Sequence, residues 1–282
     1  MDYKYIKYEL KDRVVLITLN RPERLNAFIP DMEKEILDAL DVAEADDNIR
    51  VLVFTGEGRG FCSGRDLKTD DAFLHPKPPL EHRDGGGVIS LRLFELKKPV
   101  IAAINGAAVG VGMSMTLPMD IRIASKNAKF GFVYAGRGII PEGCSGYFLP
   151  RIVGVSQTME WMLSARVFDA EEALRGRLVS RVVEPEELLP TVMSLAREIS
   201  ENTSAISIAF TKQLCWRMSG AQHPMDSHEA ESITLQWIGK QPDAREGVAA
   251  FNEKRAPKFT MSVSKDMPDF YPWWEERTFR NK

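Results

Sequence analysis

The sequence has few cysteines and no long apolar run, so it lacks the usual features of disulfide-stapled, metal-binding and membrane proteins. Cysteine occurs three times in 282 residues, at Cys62, Cys144 and Cys215, and this odd number shows no metal-ligand spacing. No apolar run approaches the roughly 20 residues that cross a bilayer. Residues 1–10, MDYKYIKYEL, are too polar for a secretory signal. We therefore expect a cytoplasmic protein with no membrane partner, bound metal or disulfide.

An excess of positive charge is also missing. The chain has 37 Lys and Arg against 40 Asp and Glu, a formal net charge of −3. Proteins that bind nucleic acid through charge gather basic residues on one face, so we expect no nucleic-acid partner. The glycine-rich stretch GEGRGF has neither the dinucleotide-binding spacing nor a following GK[ST]. No cofactor is therefore expected.

The first half of the sequence alternates short apolar runs with amphipathic segments. The runs at 13–22, 49–58 and 99–112 are typical of buried strands. Residues 30–46 begin with Pro30 and repeat apolar residues at helical spacing. Strands that alternate with helices predict an α/β fold with crossover connections.

The last third is mainly helical by the same criteria. Apolar spacing predicts one strand at 178–184 and helices at 156–165, 170–176, 186–201, 204–218, 226–239 and 243–252. We divide the chain into a core at 1–200, a helical region at 201–259 and an aromatic-rich tail at 260–282. In the tail, Trp273 and Trp274 are expected to clamp the chain onto a protein surface rather than bind a ligand.

Residues 68–87 form a polar stretch with three prolines and three consecutive glycines. Loops of this length in compact domains are usually functional lids or disordered segments. We expect this stretch to be a loop that shapes the substrate pocket.

Two glycine-rich junctions follow predicted strands: GEGRGFCSGRDLK at 56–68 and NGAAVGVGMSM at 105–115. A helix that starts at RDLK leaves the N–H of Arg65 unpaired, and a helix that starts after Gly110 does the same for Val111. Two such donors at the ends of neighbouring strands would stabilise a developing oxyanion, each by about 3–4 kcal/mol. Taken singly, glycine turns after strands are routine, and either junction could be structural only.

Five segments in order resemble the crotonase superfamily, which includes enoyl-CoA hydratases and enoyl-CoA isomerases. They are LNRPERLNAF, GRGFCSGRDLK, KPVIAAINGAAVGVGMSMTLPMDIRIAS, FGFVYAGRGIIPEGCSGYFLPRIVG and AFNEKRAPKF. The resemblance covers about residues 5–259 and implies an enzyme with a β-β-α spiral core and a C-terminal helical trimerisation region. It further implies acyl-CoA thioester substrates, with coenzyme A as part of the substrate, and a homotrimer or homohexamer.

The resemblance also implies roles for particular residues. The N–H groups of Arg65 and Val111 correspond to the oxyanion hole of the family. The remaining positions correspond to the surface that binds the CoA nucleotide, the pantetheine and the acyl thioester: Arg24, Leu25, Ala27, Ser63, Gly64, Asp66, Leu67, Gly110 and Tyr134.

Glu142, in IPEGCSGYFLP, is the candidate catalytic residue. Hydratases of the family usually carry two glutamates, where this chain has Ser114 and Tyr134 instead. The segment around Glu142 looks like that of 3,2-enoyl-CoA isomerases, in which one glutamate moves a proton from C2 to C4. An apolar setting would raise the pKa of Glu142 towards neutrality and suit that double role.

Three alternatives remain open from the sequence. Glu142 could merely cap a helix at 143–153, since anions are stabilised at helix N-termini. The enzyme could instead be an enoyl-CoA hydratase, or support another crotonase activity on an acyl-CoA, since the fold alone does not decide the reaction. It could also be a catalytically silent acyl-CoA-binding or RNA-associated paralogue, against which the acidic charge balance and Glu142 both argue.

Overall fold

The computed structural model describes residues 2–68 and 77–280. The chain forms two compact units, Met1–Glu201 and Asn202–Lys282. The first unit contains two sheets and most of the crossover helices, and the second is helical with an irregular C-terminal segment. A separate tail at 260–282 stays a prediction.

The strands are short, and most are buried. In chain order they are β1 (Ile6–Lys11), β2 (Val14–Leu19), β3 (Val51–Gly56), β4 (Gly60–Cys62), β5 (Val100–Ile104), β6 (Ala107–Val109), β7 (Ile121–Ser125), β8 (Lys129–Gly131), β9 (Val167–Asp169) and β10 (Arg181–Val183). The described residues contain two sheets, with strand orders β1-β2-β3-β5-β7-β10 and β4-β6-β8-β9. Except for the antiparallel pairs β1/β2 and β8/β9, neighbouring strands are parallel.

The helices connect these strands and make up most of the second unit. They are α1 (Pro30–Ala45), α2 (Gly85–Glu95), α3 (Val111–Ser114), α4 (Ser145–Val153), α5 (Val155–Ser164), α6 (Ala170–Arg175), α7 (Leu188–Asn202), α8 (Ala205–Met218), α9 (Pro224–Ile238) and α10 (Pro242–Glu253). Single turns of 3-10 helix lie at Pro22–Arg24, Ala135–Arg137 and Pro185–Glu187. Among the described residues, no helix is both long and apolar enough to cross a membrane.

One face of the larger sheet packs on α7. Val53 of β3, Ile101 of β5 and Ile123 of β7 are fully buried against Val192 and Ala196 of the helix. These strands are mostly apolar and buried because a parallel sheet in an α/β fold is covered on both faces. The burial of a large side chain of this kind contributes about 1.5–3 kcal/mol, which makes the sheet a rigid support for the loops at its edge.

In the second unit, the aromatic residues near the C-terminus pack on α8, as the sequence predicts. The Trp273 ring stacks on Phe210 with centroids 6.0 Å apart, and Tyr271 contacts the same phenylalanine edge-on at 5.7 Å. The Arg217 guanidinium lies 3.3 Å from the centroid of the Trp274 ring, a cation–π contact. The two tryptophans therefore hold this segment on a protein surface.

Most predicted elements are confirmed, and two are wrong. No helix forms at 65–68, where the chain is extended instead. The polar stretch at 68–87 is not a loop throughout, because α2 begins at Gly85 with Asp84 as its N-cap. Residues 69–76 of that stretch lie outside the described residues. The short strands β4 and β9 were not predicted, because three-residue strands have no measurable periodicity.

Candidate active site

Three neighbouring parallel strands of the smaller sheet bring the candidate residues to one edge. Strands β4, β6 and β8 lie side by side, so their carboxyl ends meet at the same edge. The chain that leaves β4 contains residues 63–67, and the chain that leaves β6 enters α3. The chain that leaves β8 reaches Tyr134. Segments far apart in sequence therefore become adjacent.

After β4 the chain forms a single parallel bridge between Arg65 and Phe28. Phe28 makes both of its hydrogen bonds, donating to the Gly64 carbonyl at 2.8 Å and accepting from the Asp66 N–H at 3.0 Å. Successive groups of a strand point to opposite sides, so the N–H of Arg65 points away from this bridge. The donor that we expected at a helix start is thus oriented by an extended segment.

After β6 the chain turns at Gly110 into the four-residue helix α3, whose first residue is Val111. The N–H groups of Met113 and Ser114 both donate to the Gly110 carbonyl at 2.9 Å. The N–H of Val111 precedes these bonds and, as a first-turn donor, has no partner within the helix. Within the described parts of the chain, neither Arg65 nor Val111 donates its N–H to any acceptor.

The two junctions touch through their glycines. A Cβ placed on Gly64 would lie 3.0 Å from the Val109 carbonyl oxygen, and one on Gly110 would lie 3.8 Å from the Gly64 Cα. Gly64 also has φ +100°, a conformation that other residues rarely adopt. This close approach brings together the two segments that contain the Arg65 and Val111 N–H groups.

The carboxylate of Glu142 is held by the hydroxyl groups of two buried residues. Ser114 donates to its Oε1 at 2.5 Å, and Tyr134 donates to the same oxygen at 3.2 Å. Hydratases of the family that the sequence resembles would carry glutamate at these two positions. The structure therefore gathers all three positions around a single carboxylate.

The other carboxylate oxygen, Oε2, faces the first turn of α2. A Cβ on Gly86 would lie 2.0 Å from this oxygen and 3.0 Å from Cγ2 of Val111. A larger residue at position 86 would force the carboxylate to move from this place. The same two distances place the Glu142 carboxylate next to the Val111 side chain.

The surroundings of Glu142 shift its proton affinity. Burial is the main cause that raises its pKa from 4.5 to about 7, and the negative charge of Asp84 acts in the same direction. The hydrogen bonds from Ser114 and Tyr134 act in the opposite direction by stabilising the carboxylate. Burial also raises the pKa of Tyr134, so its hydroxyl stays protonated and remains a donor.

Glu142 does not cap α4. The helix begins at Ser145, its N-cap is Cys144, and no side chain accepts a hydrogen bond at this end. Only the main-chain carbonyl of Glu142 participates, accepting from the Ser145 N–H at 3.1 Å and from its hydroxyl at 2.7 Å. The capping interpretation of Glu142 is therefore wrong, and the side chain is available for chemistry.

The segments predicted to contact CoA pack on each other. Leu25 adopts a left-handed conformation with φ 49°, and its carbonyl accepts from the Ser63 N–H at 3.0 Å. The Ser63 hydroxyl donates to the Arg24 carbonyl at 3.3 Å. Ala27 is buried, whereas Leu67 is 49% exposed. Residues 24–27 and 63–67 thus form one continuous surface.

Sequence reasoning missed Arg21, which connects these two segments. Its guanidinium donates to the Ala27 carbonyl and to Oδ2 of Asp66 at 3.0 Å. This bond lowers the pKa of Asp66 and keeps the carboxylate charged. The signal in the sequence was the Arg21-Pro22 pair, which we interpreted only as a turn.

No group of three or more potential metal-ligating residues comes together in residues 2–68 and 77–280. The described site consists of two unpaired main-chain donors beside one half-buried carboxylate. Unpaired main-chain donors are groups that can stabilise an oxyanion, and a carboxylate with a raised pKa is a group that can transfer a proton.

Comparisons with known proteins point to one enzyme family. Residues 9–262 match the family model for enoyl-CoA hydratase/isomerase. An enoyl-CoA hydratase of Alternaria alternata is 39% identical over 88% of this chain and 83% of its own length. The 1,2-epoxyphenylacetyl-CoA isomerase of Escherichia coli is 36% identical over 91% of this chain and 98% of its own.

A solved structure extends the likeness to the fold. The crystal structure of a probable enoyl-CoA hydratase/isomerase from Mycobacterium abscessus covers 90% of this chain and 98% of its own, with a TM-score of 0.85 and 29% identity. The protein therefore belongs to the enoyl-CoA hydratase/isomerase family. It is an α/β enzyme of the crotonase type that acts on acyl-CoA thioesters.

Proposed function

We propose that the enzyme transfers a proton at C2 of an enoyl-CoA, with Glu142 as the acid–base group and the N–H groups of Arg65 and Val111 as the oxyanion hole. The observation that carries this proposal is the placement of Glu142 beside Val111. A Cβ built on Gly86 would be close both to the Glu142 carboxylate and to the Val111 side chain. A base next to an oxyanion hole is what removal of a proton α to a thioester requires.

The two N–H donors would stabilise the negative charge that develops on the thioester oxygen during the reaction. When a proton leaves C2, the electron pair of the C2–H bond moves towards the thioester carbonyl, whose oxygen becomes negative. Fixed main-chain dipoles meet this charge without reorganising, and one such donor is typically worth about 3–4 kcal/mol. The bridge between Arg65 and Phe28 and the start of α3 hold these dipoles rigidly.

The proton affinity of Glu142 suits both halves of a proton transfer. Its pKa of about 7 leaves a substantial fraction of the side chain as carboxylate at neutral pH, so it can accept a proton. The same value means that the protonated form is acidic enough to return the proton. A glutamate with an ordinary pKa would be a weaker base.

The geometry favours double-bond isomerisation of a 3-enoyl-CoA to a 2-enoyl-CoA. Both hydroxyl donors bind Oε1 of Glu142, so Oε2 is the oxygen that can exchange the proton. Glu142 takes the proton from C2, and the C2–H electrons form the dienolate. The dienolate then takes the proton back at C4, and the C3=C4 double bond becomes C2=C3. One carboxylate completes this reaction, because it acts first as base and then as acid.

Hydration of a 2-enoyl-CoA is the second candidate, and the relatives favour it. The Alternaria alternata relative at 39% identity is an enoyl-CoA hydratase by name, whereas the Escherichia coli relative at 36% is an isomerase. In hydration Glu142 would take a proton from water, the oxygen would add to C3, and the proton would be delivered to C2. Serine and tyrosine at positions 114 and 134 leave Glu142 to perform both steps.

The binding surface and the assembly are part of the same proposal. We assign Arg24, Leu25 and Ala27 to the CoA nucleotide, and the segment 63–67 to the pantetheine and thioester. Gly110 allows the chain to approach the acyl group, and Tyr134 acts through Glu142. We further propose a homotrimer or homohexamer, which light scattering of the purified protein would test.

The test is an assay of the purified enzyme with 3-enoyl-CoA and 2-enoyl-CoA substrates of several chain lengths. Formation of the conjugated thioester reports isomerisation, and oxygen-18 incorporation from labelled water reports hydration. Glu142→Gln is expected to lower turnover by about two to four orders of magnitude, while calorimetry shows unchanged CoA affinity. Glu171→Gln, which changes an exposed glutamate on α6, is the matched control.

The outcomes separate the candidates. Formation of the conjugated thioester without incorporation of oxygen-18 supports isomerisation. Incorporation of oxygen-18 from water without formation of the conjugated thioester supports hydration. Turnover by Glu142→Gln within a few-fold of the parent would remove Glu142 from the mechanism. Tight CoA binding with no turnover of either substrate would instead favour a silent acyl-CoA-binding protein.

A further inference from the structure

Asp84 links two parts of the site through one carboxylate oxygen. Its Oδ1 accepts a hydrogen bond from the Gly87 N–H at 2.6 Å, which caps the first turn of α2. The same oxygen accepts from the Gly143 N–H at 3.1 Å. Since Gly143 directly follows Glu142, this second bond fixes the main chain next to the proposed catalytic residue.

The segment that Asp84 holds has little regular structure of its own. Gly143 and Cys144 both have positive φ, at 64° and 56°, and α4 begins only at Ser145. A non-glycine residue such as Cys144 adopts this conformation at a conformational cost. The turn after Glu142 therefore depends on contacts from outside, and the bond from Asp84 is one of them.

The packing around this turn is tight on both sides. A Cβ on Gly143 would lie 2.6 Å from the Ser114 hydroxyl oxygen, and Gly86 contacts Oε2 of Glu142 in the same way. A small displacement of residue 143 would therefore disturb the hydrogen bond from Ser114 to Glu142. The position of the carboxylate and the position of this turn are coupled.

We propose that Asp84 is a positioning residue for Glu142, because its carboxylate ties Gly143 to the first turn of α2 and thereby keeps the Glu142 side chain beside the oxyanion donors. This inference rests on the proposed proton-transfer function of Glu142. The Asp84 carboxyl group also interacts directly with the Glu142 carboxyl group, through a side-chain hydrogen bond that raises the pKa of Glu142. It acts through the main chain, and its negative charge acts on the carboxyl group of Glu142 through space.

The negative charge of Asp84 has a measurable effect on the pKa of Glu142. Asp84 raises the pKa of Glu142, after burial as the main cause, so neutral asparagine at this position should lower it. The effect is modest because the Asp84 side chain is exposed and screened by water. Among the described residues, the other titratable or charged groups that interact with these two carboxylates or with their direct neighbours include Glu33, Cys62, Arg65, Arg83, Tyr134 and Cys144.

Two variants separate the tether from the charge. Asp84→Asn keeps an oxygen that can accept both N–H bonds but removes the charge, whereas Asp84→Ala removes both. Asp169 caps α6 in the same manner, accepting from the Glu172 N–H at 2.9 Å, and lies at a different helix. Asp169→Asn and Asp169→Ala are therefore matched controls for the loss of an N-cap.

Turnover is the first measurement. Asp84→Ala is expected to lower kcat by about tenfold or more, as a misplaced catalytic group does, with KM for the acyl-CoA changed by less than about twofold. Asp84→Asn should recover most of that loss. Parental kcat in Asp84→Ala, or equal losses in Asp84→Ala and Asp169→Ala, would overturn the proposal.

The second measurement needs no substrate, so it is independent of the reaction that the enzyme catalyses. Infrared difference spectroscopy follows the protonation of Glu142, whose signal is identified by its loss in Glu142→Gln. In Asp84→Asn the midpoint should fall by about half a pH unit, and in Asp169→Asn it should not move. A midpoint that is unchanged in both Asp84→Asn and Asp84→Ala would overturn the inference, even if isomerisation is observed. A lowered midpoint in a protein that turns over neither substrate would keep it and refute the proposed function alone.

Discussion

The hydroxyl of Ser114 lies 2.5 Å from Oε1 of Glu142, although 28 residues separate the two in sequence. Ser114 ends the short helix whose first residue, Val111, supplies one of the proposed oxyanion donors. One four-residue helix thus orients both the carboxylate and a donor N–H. This shared helix limits movement of the proposed base relative to the proposed donor at Val111.

Substitution of Ser114 by alanine should raise the pKa of Glu142. The serine hydrogen bond stabilises the carboxylate and lowers the pKa of Glu142, so its removal raises that pKa above about 7. The acidic limb of the pH profile of kcat/KM should then move to higher pH by about half to one unit. A limb that moves to lower pH would contradict this hydrogen-bond assignment. Ser180→Ala, which removes a hydroxyl bound to the Arg122 carbonyl, is the control.

Replacement of Val111 by proline should remove an oxyanion donor while it keeps the helix start. Proline is accepted at the first position of a helix, and Val111 is that position in α3. We expect kcat to fall by about two to three orders of magnitude, with little change in the unfolding temperature. Val111→Ala keeps the N–H and should retain most activity. If the two variants have equal turnover, Val111 is not a donor to the substrate.

Alanine at Gly86 should displace the proposed base. Its Cβ would stand 2.0 Å from Oε2 of Glu142, so the flexible end of the glutamate has to move. Because a displacement of about 1 Å costs about two orders of magnitude in rate, we expect a loss of that size in kcat. Gly146→Ala on α4 is the matched control, since a Cβ there meets nothing within 4 Å. A fully active Gly86→Ala variant would show that the carboxylate does not act from this place.

Glutamine at position 142 should stabilise the protein at alkaline pH. Burial raises the pKa of Glu142 from 4.5 to about 7, so the folded state binds its proton more tightly than the unfolded state. The stability from this proton is fully present below about pH 4.5 and is lost as the pH rises through about 7. At pH 8 we therefore expect Glu142→Gln to exceed the parent in free energy of unfolding by about 1–3 kcal/mol.

Urea unfolding at pH 5 and pH 8 measures this difference. The advantage of Glu142→Gln should be smaller at pH 5 than at pH 8. An advantage that is the same at both pH values would mean that Glu142 is not the titrating group.

Much of the fold follows from local patterns in the sequence. The helix expected at 30–46 is α1, and the apolar run at 49–58 contains β3. In such segments the apolar pattern is long enough to predict the secondary structure without knowledge of the surrounding chain. The three-residue strands β4 and β6 show no such pattern of their own, yet together with β8 they place the site. They exist because adjacent chains supply their hydrogen bonds.

The error at 65–68 has the same origin. The residues RDLK favour a helix locally, but Phe28 binds the main chain of Gly64 and Asp66 on both sides of Arg65. Two hydrogen bonds with a distant segment stabilise the extended conformation more than its own propensity stabilises a four-residue helix. The N–H of Arg65 remained a candidate donor, although the element that orients it is different.

The sequence by itself determined the alternation of strands and helices, the two glycine junctions, the family resemblance and the carboxylate worth testing. Only the tertiary structure decided that the Glu142 side chain faces Ser114, Tyr134 and Gly86 rather than the start of α4. It also showed the hydrogen bonds that connect Asp84 to Gly143 and Arg21 to Ala27 and Asp66. The physical reason is range: propensity and periodicity act over a few residues, whereas the surroundings of a carboxylate depend on chain segments that meet only after the sheet has formed.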